Sequence, residues 1–242
     1  MLEPDLRRLP GTPSDRDSSV RRQIGGLTRK QRSVKDGSEV GRHMRRDDAR
    51  TQRVLLLRHS ETEWSRTGRY TGRTDKPLTE AGRQSAAQLR DQIGVGQAPP
   101  DTVFASPLRR ARETCDALEL SMPCLLRDDL VEWDYGDYEG LTPSEVHDID
   151  PSWDLWESGA PGGESPDDVT GRIDRFMAEL RSLGGTHQAL VVAHGHVLRG
   201  LACRWIDQPI RLGRNLRLGA GRVSELGWNR GVPVIERWNE SP

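Results

Sequence analysis

The chain has 242 residues, room for one domain of about 190 residues with an appendage or for two small domains. Charged residues make up 30% and hydrophobic residues 33%, and no apolar run approaches the roughly 18 residues that cross a membrane as a helix. Three cysteines (Cys115, Cys124, Cys203) match neither a disulfide framework nor a zinc-finger spacing, so a reduced, cytoplasmic compartment fits best.

The near-zero net charge of −1 conceals two unlike parts. Residues 1–50 hold 13 Lys+Arg against 8 Asp+Glu and no aromatic residue, while the remainder holds 23 against 29. Residues 1–49 therefore bury no core and are expected to be a disordered, Arg-rich extension, with residues 50–242 as the folded domain. An arm for nucleic acid or a membrane surface is the alternative reading of such a tail. A solvated extension is the simpler one, with neither partner expected. The segment also lacks the apolar core of a signal peptide, and Met44 makes a natural start just ahead of the first strand.

Val54–Leu57 is a short unbroken apolar run, the mark of a strand buried on both faces in a parallel sheet. It delivers Arg58–His59 to its carboxyl end, where open α/β sheets bind ligands. The loop Ser65–Arg73 follows, rich in Gly and Arg. Thr79 is the predicted N-cap of a helix that buries Ala86, Leu89 and Ile93, with Gly94, Gly96 and Pro99–Pro100 ending it. Thr102–Ala105 reads as a second buried strand. It runs into Ser106–Pro107–Leu108–Arg109–Arg110–Ala111, where Ser106 as N-cap and Pro107 at the first position predict a helix start. Free N–H groups and the dipole there favour an anion.

Cys124–Leu126 suggests a short strand. The next loop gathers Glu132, Asp134, Asp137 and Glu139 with Trp133, Tyr135 and Tyr138, and is read as a general acid held against aromatic walls. Trp153, Trp156 and Pro161–Ser165 form an irregular rim. Ser165 and Pro166 start a helix to about Leu183, whose stripe Val169, Ile173, Phe176, Met177 and Leu180 is core. Ala189–Ala193 is a third buried strand, delivering His194–Gly195–His196 to another helix. The two histidines have metal-pair spacing, but no Cys or carboxylate partner stands nearby, so no metal is expected. Arg222–Leu226 and Val232–Ile235 close the chain as strands, with Pro233 suiting a sheet edge.

Three buried strands thus end in basic constellations: Arg58–His59, Arg110 with its neighbours, and His194. If adjacent, they converge on one small volume suited to a phosphate dianion, since each charge-assisted hydrogen bond contributes about 1.5–3 kcal/mol. With no P-loop and no evident Mg²⁺ site, the nucleophile is a side chain, and His59 is the best candidate.

These segments carry a resemblance. The run from Leu55 to about Leu226 resembles the histidine phosphatase (phosphoglycerate mutase-like) superfamily, through Arg58–His59–Ser60–Glu61–Thr62–Glu63–Trp64, Gly68–Arg69–Tyr70–Thr71–Gly72, Ser106–Pro107–Leu108–Arg109–Arg110–Ala111, Glu132 in its Glu–Trp–Asp–Tyr–Gly setting, and Ala193–His194–Gly195–His196. The resemblance implies a three-layer α/β/α sandwich around a mostly parallel sheet with an antiparallel edge strand. It implies a phosphohistidine intermediate and no cofactor. His59 becomes the nucleophile, Glu132 the acid/base and His194 a further catalytic residue of the pocket. Phosphate binding falls on Arg58, Arg110, Ser65, Thr71 and Gly195. One position departs from the family pattern: Ser60 stands where Gly is usual, and its hydroxyl either slows turnover or adds a donor to the phosphate.

The expected chemistry is attack by neutral His59 while protonated Glu132 serves the leaving alcohol, then hydrolysis with Glu132 as base, giving a mildly acidic optimum. Only some 25 residues separate Gly140 from Ser165, without the long insertion typical of the mutase branch. The loop sequences look most like phosphatases acting on sugar phosphates or broadly on phosphomonoesters. A mutase, or a non-catalytic phospho-ligand binder disabled by Ser60, remains the alternative. The expected partner is a small phosphorylated substrate; a homodimer is left open.

Overall fold

The structure, a computed structural model, describes residues 51–93 and 98–241. The expectations for residues 1–49, and for Gly94 and Gly96, lie outside these residues. Strand β1 (Arg53–Arg58) is the predicted apolar run, and Val54, Leu55, Leu56 and Leu57 are all buried. It lies inside a six-stranded sheet with β2 (Thr102–Ala105), β3 (Cys124–Leu126), β4 (Gln188–Ala193), β5 (Val223–Asn229) and β6 (Val232–Glu240), in the order β3-β2-β4-β1-β5-β6. β3, β2, β4 and β1 run parallel, and β5 and β6 add antiparallel pairings. Pro233 sits on β6, the edge strand, where no ladder hydrogen bond is lost.

The register aligns the strand ends that matter. Arg58 stands opposite Ala193 and Ala105 opposite Val192, so His59, Ser106 and His194 leave the sheet at one level.

Alternation along the strands separates two cores. Leu55, Leu57, Val103, Ala105, Leu190 and Val192 pack against Leu89, Ile93, Ala111 and Leu118, which belong to or directly follow helices α2 (Glu80–Gln88) and α3 (Arg109–Ala117). Val54, Leu56, Phe104 and Val191 pack on the other face against Val169, Ile173, Phe176, Leu198 and Leu201, from α6 (Pro166–Ser182) and α7 (Gly195–Trp205). The result is the expected three-layer α/β fold. Each apolar side chain on the α6 stripe contributes about 1.5–3 kcal/mol by leaving water. Ser165 caps α6 as predicted, in a reciprocal capping box with Asp168.

Four local expectations need correction. Helix α2 starts at Thr79 as expected but ends at Gln88, with Leu89 as its C-cap, before the glycines. Helix α3 starts at Arg109 with Leu108 as N-cap and no side-chain cap; the Ser106 hydroxyl accepts from the Leu108 N–H at 3.3 Å, ahead of the helix, and bonds His194 Nε2 at 2.7 Å. The first N–H of α3, at Arg109, is taken by the Asp75 carboxylate at 2.6 Å, so the anion found there is the chain's own. Finally, Cys115 on α3 and Cys124 on β3 form a disulfide, although their spacing suggested none. A helix and the strand that follows it bring two residues nine apart face to face, which spacing alone does not reveal. Cys203 is free and buried. The short helix α5 (Leu155–Ser158) lies in the stretch read as an irregular rim, and two further short helices, α1 (Glu63–Arg66) and α4 (Pro143–Ile149), correspond to no predicted element.

Candidate active site

His59 follows β1 directly and is held by the neighbouring strand, its backbone N–H donating to the Ala193 carbonyl at 2.9 Å. Its ring Nδ1 lies 2.8 Å from the Ser60 carbonyl. A carbonyl only accepts, so Nδ1 carries the proton and Nε2 keeps its lone pair. Burial, then the charges of Arg110 and Arg58, hold the imidazole pKa well below its ordinary 6.5. The ring is neutral at neutral pH.

Ser60 points elsewhere. Its backbone N–H donates to Thr114 Oγ1 at 3.0 Å, and its fully buried hydroxyl faces Gly221, 3.4 Å from where a Cβ there would stand. Ser60 is not among the residues with left-handed backbone, so this position imposes no glycine. The expectation of an extra phosphate donor is not met: the hydroxyl does not line the cavity.

Arg110 and His194 form a buried pair behind His59. Arg110 Nε donates to His194 Nδ1 at 3.0 Å, which leaves His194 Nε2–H to donate to Ser106. The His59 and His194 ring centres are 5.2 Å apart. The remaining Arg110 N–H groups donate to the carbonyls of Thr71, Gly72 and Thr74, pinning the Gly–Arg loop from behind. Glu139 pins the same loop from its amide side, accepting from Gly72 and Thr74 N–H. Gly72 is required there, since a Cβ would stand 2.4 Å from the Trp133 carbonyl.

Arg58 lies against the start of α7. One of its terminal N–H groups donates to the Leu218 carbonyl at 2.6 Å, and its buried Nε has no partner among the described residues. Gly195 permits the approach, because a Cβ there would stand 3.3 Å from the guanidinium carbon. Glu132 caps the same helix from outside, accepting from His196, Val197 and Trp133 N–H groups at 2.9–3.0 Å. Burial opposes its ionisation, but His196 and those three N–H groups outweigh burial and hold the carboxyl below the usual range. In the free protein Glu132 is therefore an ionised carboxylate, not the protonated acid expected from sequence. Arg172 braces the segment around it: its guanidinium donates to the Asp129 and Val131 carbonyls and to both oxygens of Glu164.

The groups meet around a cavity of about 320 Å³. Of the residues expected, Arg58, His59, Glu132, Ser65, Thr71 and Gly195 line it, whereas Arg110 and His194 do not and stand behind the wall. The Ser65 hydroxyl is committed to the capping box of α1 and the Thr71 hydroxyl to the Arg69 carbonyl, so neither hydroxyl is aimed into the cavity. Sequence reading missed Arg199 and gave no separate role to Tyr135 or Glu139 of the acidic loop. Arg199 lines the cavity, bonds the Gly213 carbonyl and stacks on Trp156 at 4.9 Å. It follows His196 by three residues, so helical spacing gave the signal. Tyr135 bonds His196 Nδ1 at 2.6 Å; burial holds that imidazole neutral, with its pKa lowered to about 4. Glu139, named only among the carboxylates of the acidic loop, anchors the Gly–Arg loop.

Among the described residues, Arg58, Arg110 and Arg199 form no ion pair with a carboxylate. Arg110 is buried and Arg58 and Arg199 are partly buried, and cations held away from water by neutral acceptors alone keep more of their field than paired ones. The single carboxylate of the cavity, Glu132, is already bound to a helix end. The arrangement can hold a compact dianion against a neutral imidazole lone pair.

Comparison with known proteins gives a consistent result. The family model described as histidine phosphatase superfamily (branch 1) matches residues 54–241. An acid phosphatase of Mycobacterium tuberculosis is 36% identical over 183 residues, covering 76% of this chain and 90% of that protein. A sedoheptulose 1,7-bisphosphatase of Saccharomyces cerevisiae is 33% identical, covering 66% and 70%. Among solved structures, a mycobacterial glucosyl-3-phosphoglycerate phosphatase is similar with a TM-score of 0.69 at 29% identity, covering 78% of this chain and 99% of that one.

Proposed function

The chain belongs to the histidine phosphatase superfamily, branch 1, and from that premise we propose that it hydrolyses phosphomonoesters through a phosphohistidine formed on Nε2 of His59. The observation that carries this reading is the neutral His59 ring with its Nε2 lone pair free, set among arginines that have no carboxylate partner. The substrate phosphate takes the place of those missing partners, held by Arg58 and Arg199 from the front. Arg110, with His194, acts from behind through the Thr71 and Gly72 carbonyls and its field.

In the first step the Nε2 lone pair attacks phosphorus in line, the N–P bond forms and the P–O bond to the alcohol breaks. The leaving oxygen needs a proton. An entering phosphate dianion raises the Glu132 pKa by like-charge repulsion, so the carboxyl gains in the complex the proton it lacks in the free protein and passes it to the alcohol. In the second step Glu132, ionised again, takes a proton from the attacking water as phosphate leaves His59. The developing charge is met by fixed cations throughout, the main source of catalysis in phosphoryl transfer.

The orientation of Ser60 supports an active enzyme over a disabled binder, because its hydroxyl does not obstruct the cavity. The leaving groups we favour are sugars or a broad range of alcohols. We place the activity in residues 50–242, so a chain beginning at Met44 is expected to retain kcat/KM within about threefold. His59→Ala is expected to reduce turnover of p-nitrophenyl phosphate to background and to abolish acid-labile ³²P labelling of the protein. Labelling or turnover surviving in that variant would refute the assignment.

A further inference from the structure

The disulfide Cys115–Cys124 lies at a second cavity, of about 690 Å³, which both cysteines line. This cavity shares no lining residue with the catalytic one, and Cys203 is not among its walls. Cys115 is buried in the core beneath α2 and α3, whereas Cys124 is partly exposed. A thiol arriving from solvent therefore meets the Cys124 sulfur first, and disulfides open to solvent are the ones that exchange readily. Strand β3, which carries Cys124, is three residues long and pairs only with β2 at the sheet edge. The disulfide is its covalent tie to α3.

Helix α3 leads from that tie to the nucleophile. Its inner face is Arg110, Ala111, Thr114 and Cys115. Thr114, the residue before Cys115, accepts from the Ser60 N–H at 3.0 Å and donates to the Arg110 carbonyl at 2.7 Å. The Ser60 carbonyl in turn holds His59 Nδ1. The Arg110 guanidinium holds His194 and the Gly–Arg loop. One turn of helix thus connects the disulfide to the groups that orient the His59 ring.

We propose that Cys115–Cys124 is a thiol-exchange site, at which a small dithiol reductant cleaves the bond and lowers turnover at His59 by loosening α3. The oxidised protein is the more active form. This rests on the phosphatase reading above. A thiolate of the dithiol attacks Cys124 Sγ, the S–S bond breaks, and Cys115 Sγ leaves as a thiolate that takes up a proton. The second thiol of the reductant attacks the mixed disulfide and frees Cys124. The protein gains two electrons and two protons, and the dithiol becomes a disulfide.

The test compares the full chain, oxidised and then reduced with dithiothreitol, well below its melting temperature, with alkylation counting the thiols in each state. Reduction is expected to lower kcat for p-nitrophenyl phosphate about tenfold, within the ~100-fold that a 1 Å misplacement can cost, and reoxidation to restore it. In the same samples the ¹⁵N signals of the His59 ring are expected to move from one tautomer toward a mixture, which a merely structural disulfide would not cause. Cys124→Ser is expected to sit at the reduced level and to ignore dithiothreitol. The native comparison needs no variant, so it decides even where Cys124→Ser does not fold. Reduced protein that keeps the oxidised kcat overturns the inference. So does reduced protein that loses its near-ultraviolet circular dichroism, since the effect is then loss of the fold, and so does an equal response to dithiothreitol in Cys124→Ser. Absence of turnover in both states refutes the phosphatase reading instead, and the His59 signals then decide the coupling by themselves.

Discussion

At His59 a single hydrogen bond, from Nδ1 to the carbonyl of the next residue, settles which nitrogen faces the cavity. Burial of the ring, and after it the charges of Arg110 and Arg58, keep that nitrogen unprotonated. The same economy applies at Glu132, whose carboxylate is both helix cap and proposed proton carrier. These two duties separate experimentally. Glu132→Gln keeps an acceptor for the N–H groups of α7 but carries no proton to the alcohol, so hydrolysis of alkyl phosphates is expected to fall about 10²–10⁴-fold. A nitrophenolate leaves without protonation, so its release in the first turnover falls much less, and the phosphoenzyme accumulates. Rapid-quench measurement of p-nitrophenol against labelled protein checks this; equal losses for both ester types would remove Glu132 from the first step. The pH dependence follows from the same two groups. The His59 pKa is depressed, so the ring stays neutral as pH falls below 6.5 and the acid limb of kcat/KM lies below the ordinary imidazole value; Glu132, which must gain a proton in the complex, sets the alkaline limb instead.

The elements bring these residues together by alignment. β2, β4 and β1 are neighbours in the sheet and finish level, so three loops distant in sequence supply one cavity. Helix α3 joins the site to the sheet edge, since it carries Arg110, the Thr114 hydroxyl that holds Ser60, and Cys115. The disulfide to Cys124 closes a loop of sequence separation 9, for which loop entropy predicts a contribution of about 2–3 kcal/mol. Protein purified and denatured without reductant is expected to show one alkylatable thiol, Cys203, and three after reduction. Reduction is expected to lower the unfolding free energy in urea by that same amount. Three alkylatable thiols in the unreduced protein would exclude the bond in solution.

For the whole molecule, the buried imidazoles make stability depend on pH. His59 and His194 have folded pKa values depressed by burial first and nearby charges second, and His196 is depressed by burial against the opposing charge of Glu132. A depressed pKa means that the folded state binds fewer protons than the unfolded state below pH 6.5, so stability is fully present above that value and is lost as pH falls. For His196 the loss runs from 6.5 to about 4, on the order of 3 kcal/mol. Urea midpoints measured from pH 7.5 to 4 are expected to fall steadily across this window; a flat profile would mean the imidazoles are not buried neutral. No helix among the described residues is long and apolar enough to cross a membrane.

How much of this could be read beforehand depends on the range over which each feature is encoded. The four-residue apolar run before Arg58, the alternation of turn signals and apolar segments, the Ser165–Pro166 start of α6 and the basic residues after each strand are local patterns. Such patterns carried the layered α/β fold and placed Arg58 and His59 at a strand end; Glu132 came with the family resemblance, and all three line one cavity. The sequence by itself did not determine that the Ser106 hydroxyl is shared with His194, that Asp75 occupies the α3 terminus, or that Cys115 meets Cys124. Nor did it show that Arg110 stands behind the cavity while Arg199 faces it, or that Glu132 is ionised. Each of these depends on which distant group competes for the same donor or acceptor and on how far water is excluded. Those are properties of packed neighbours, fixed only when the strands close side by side.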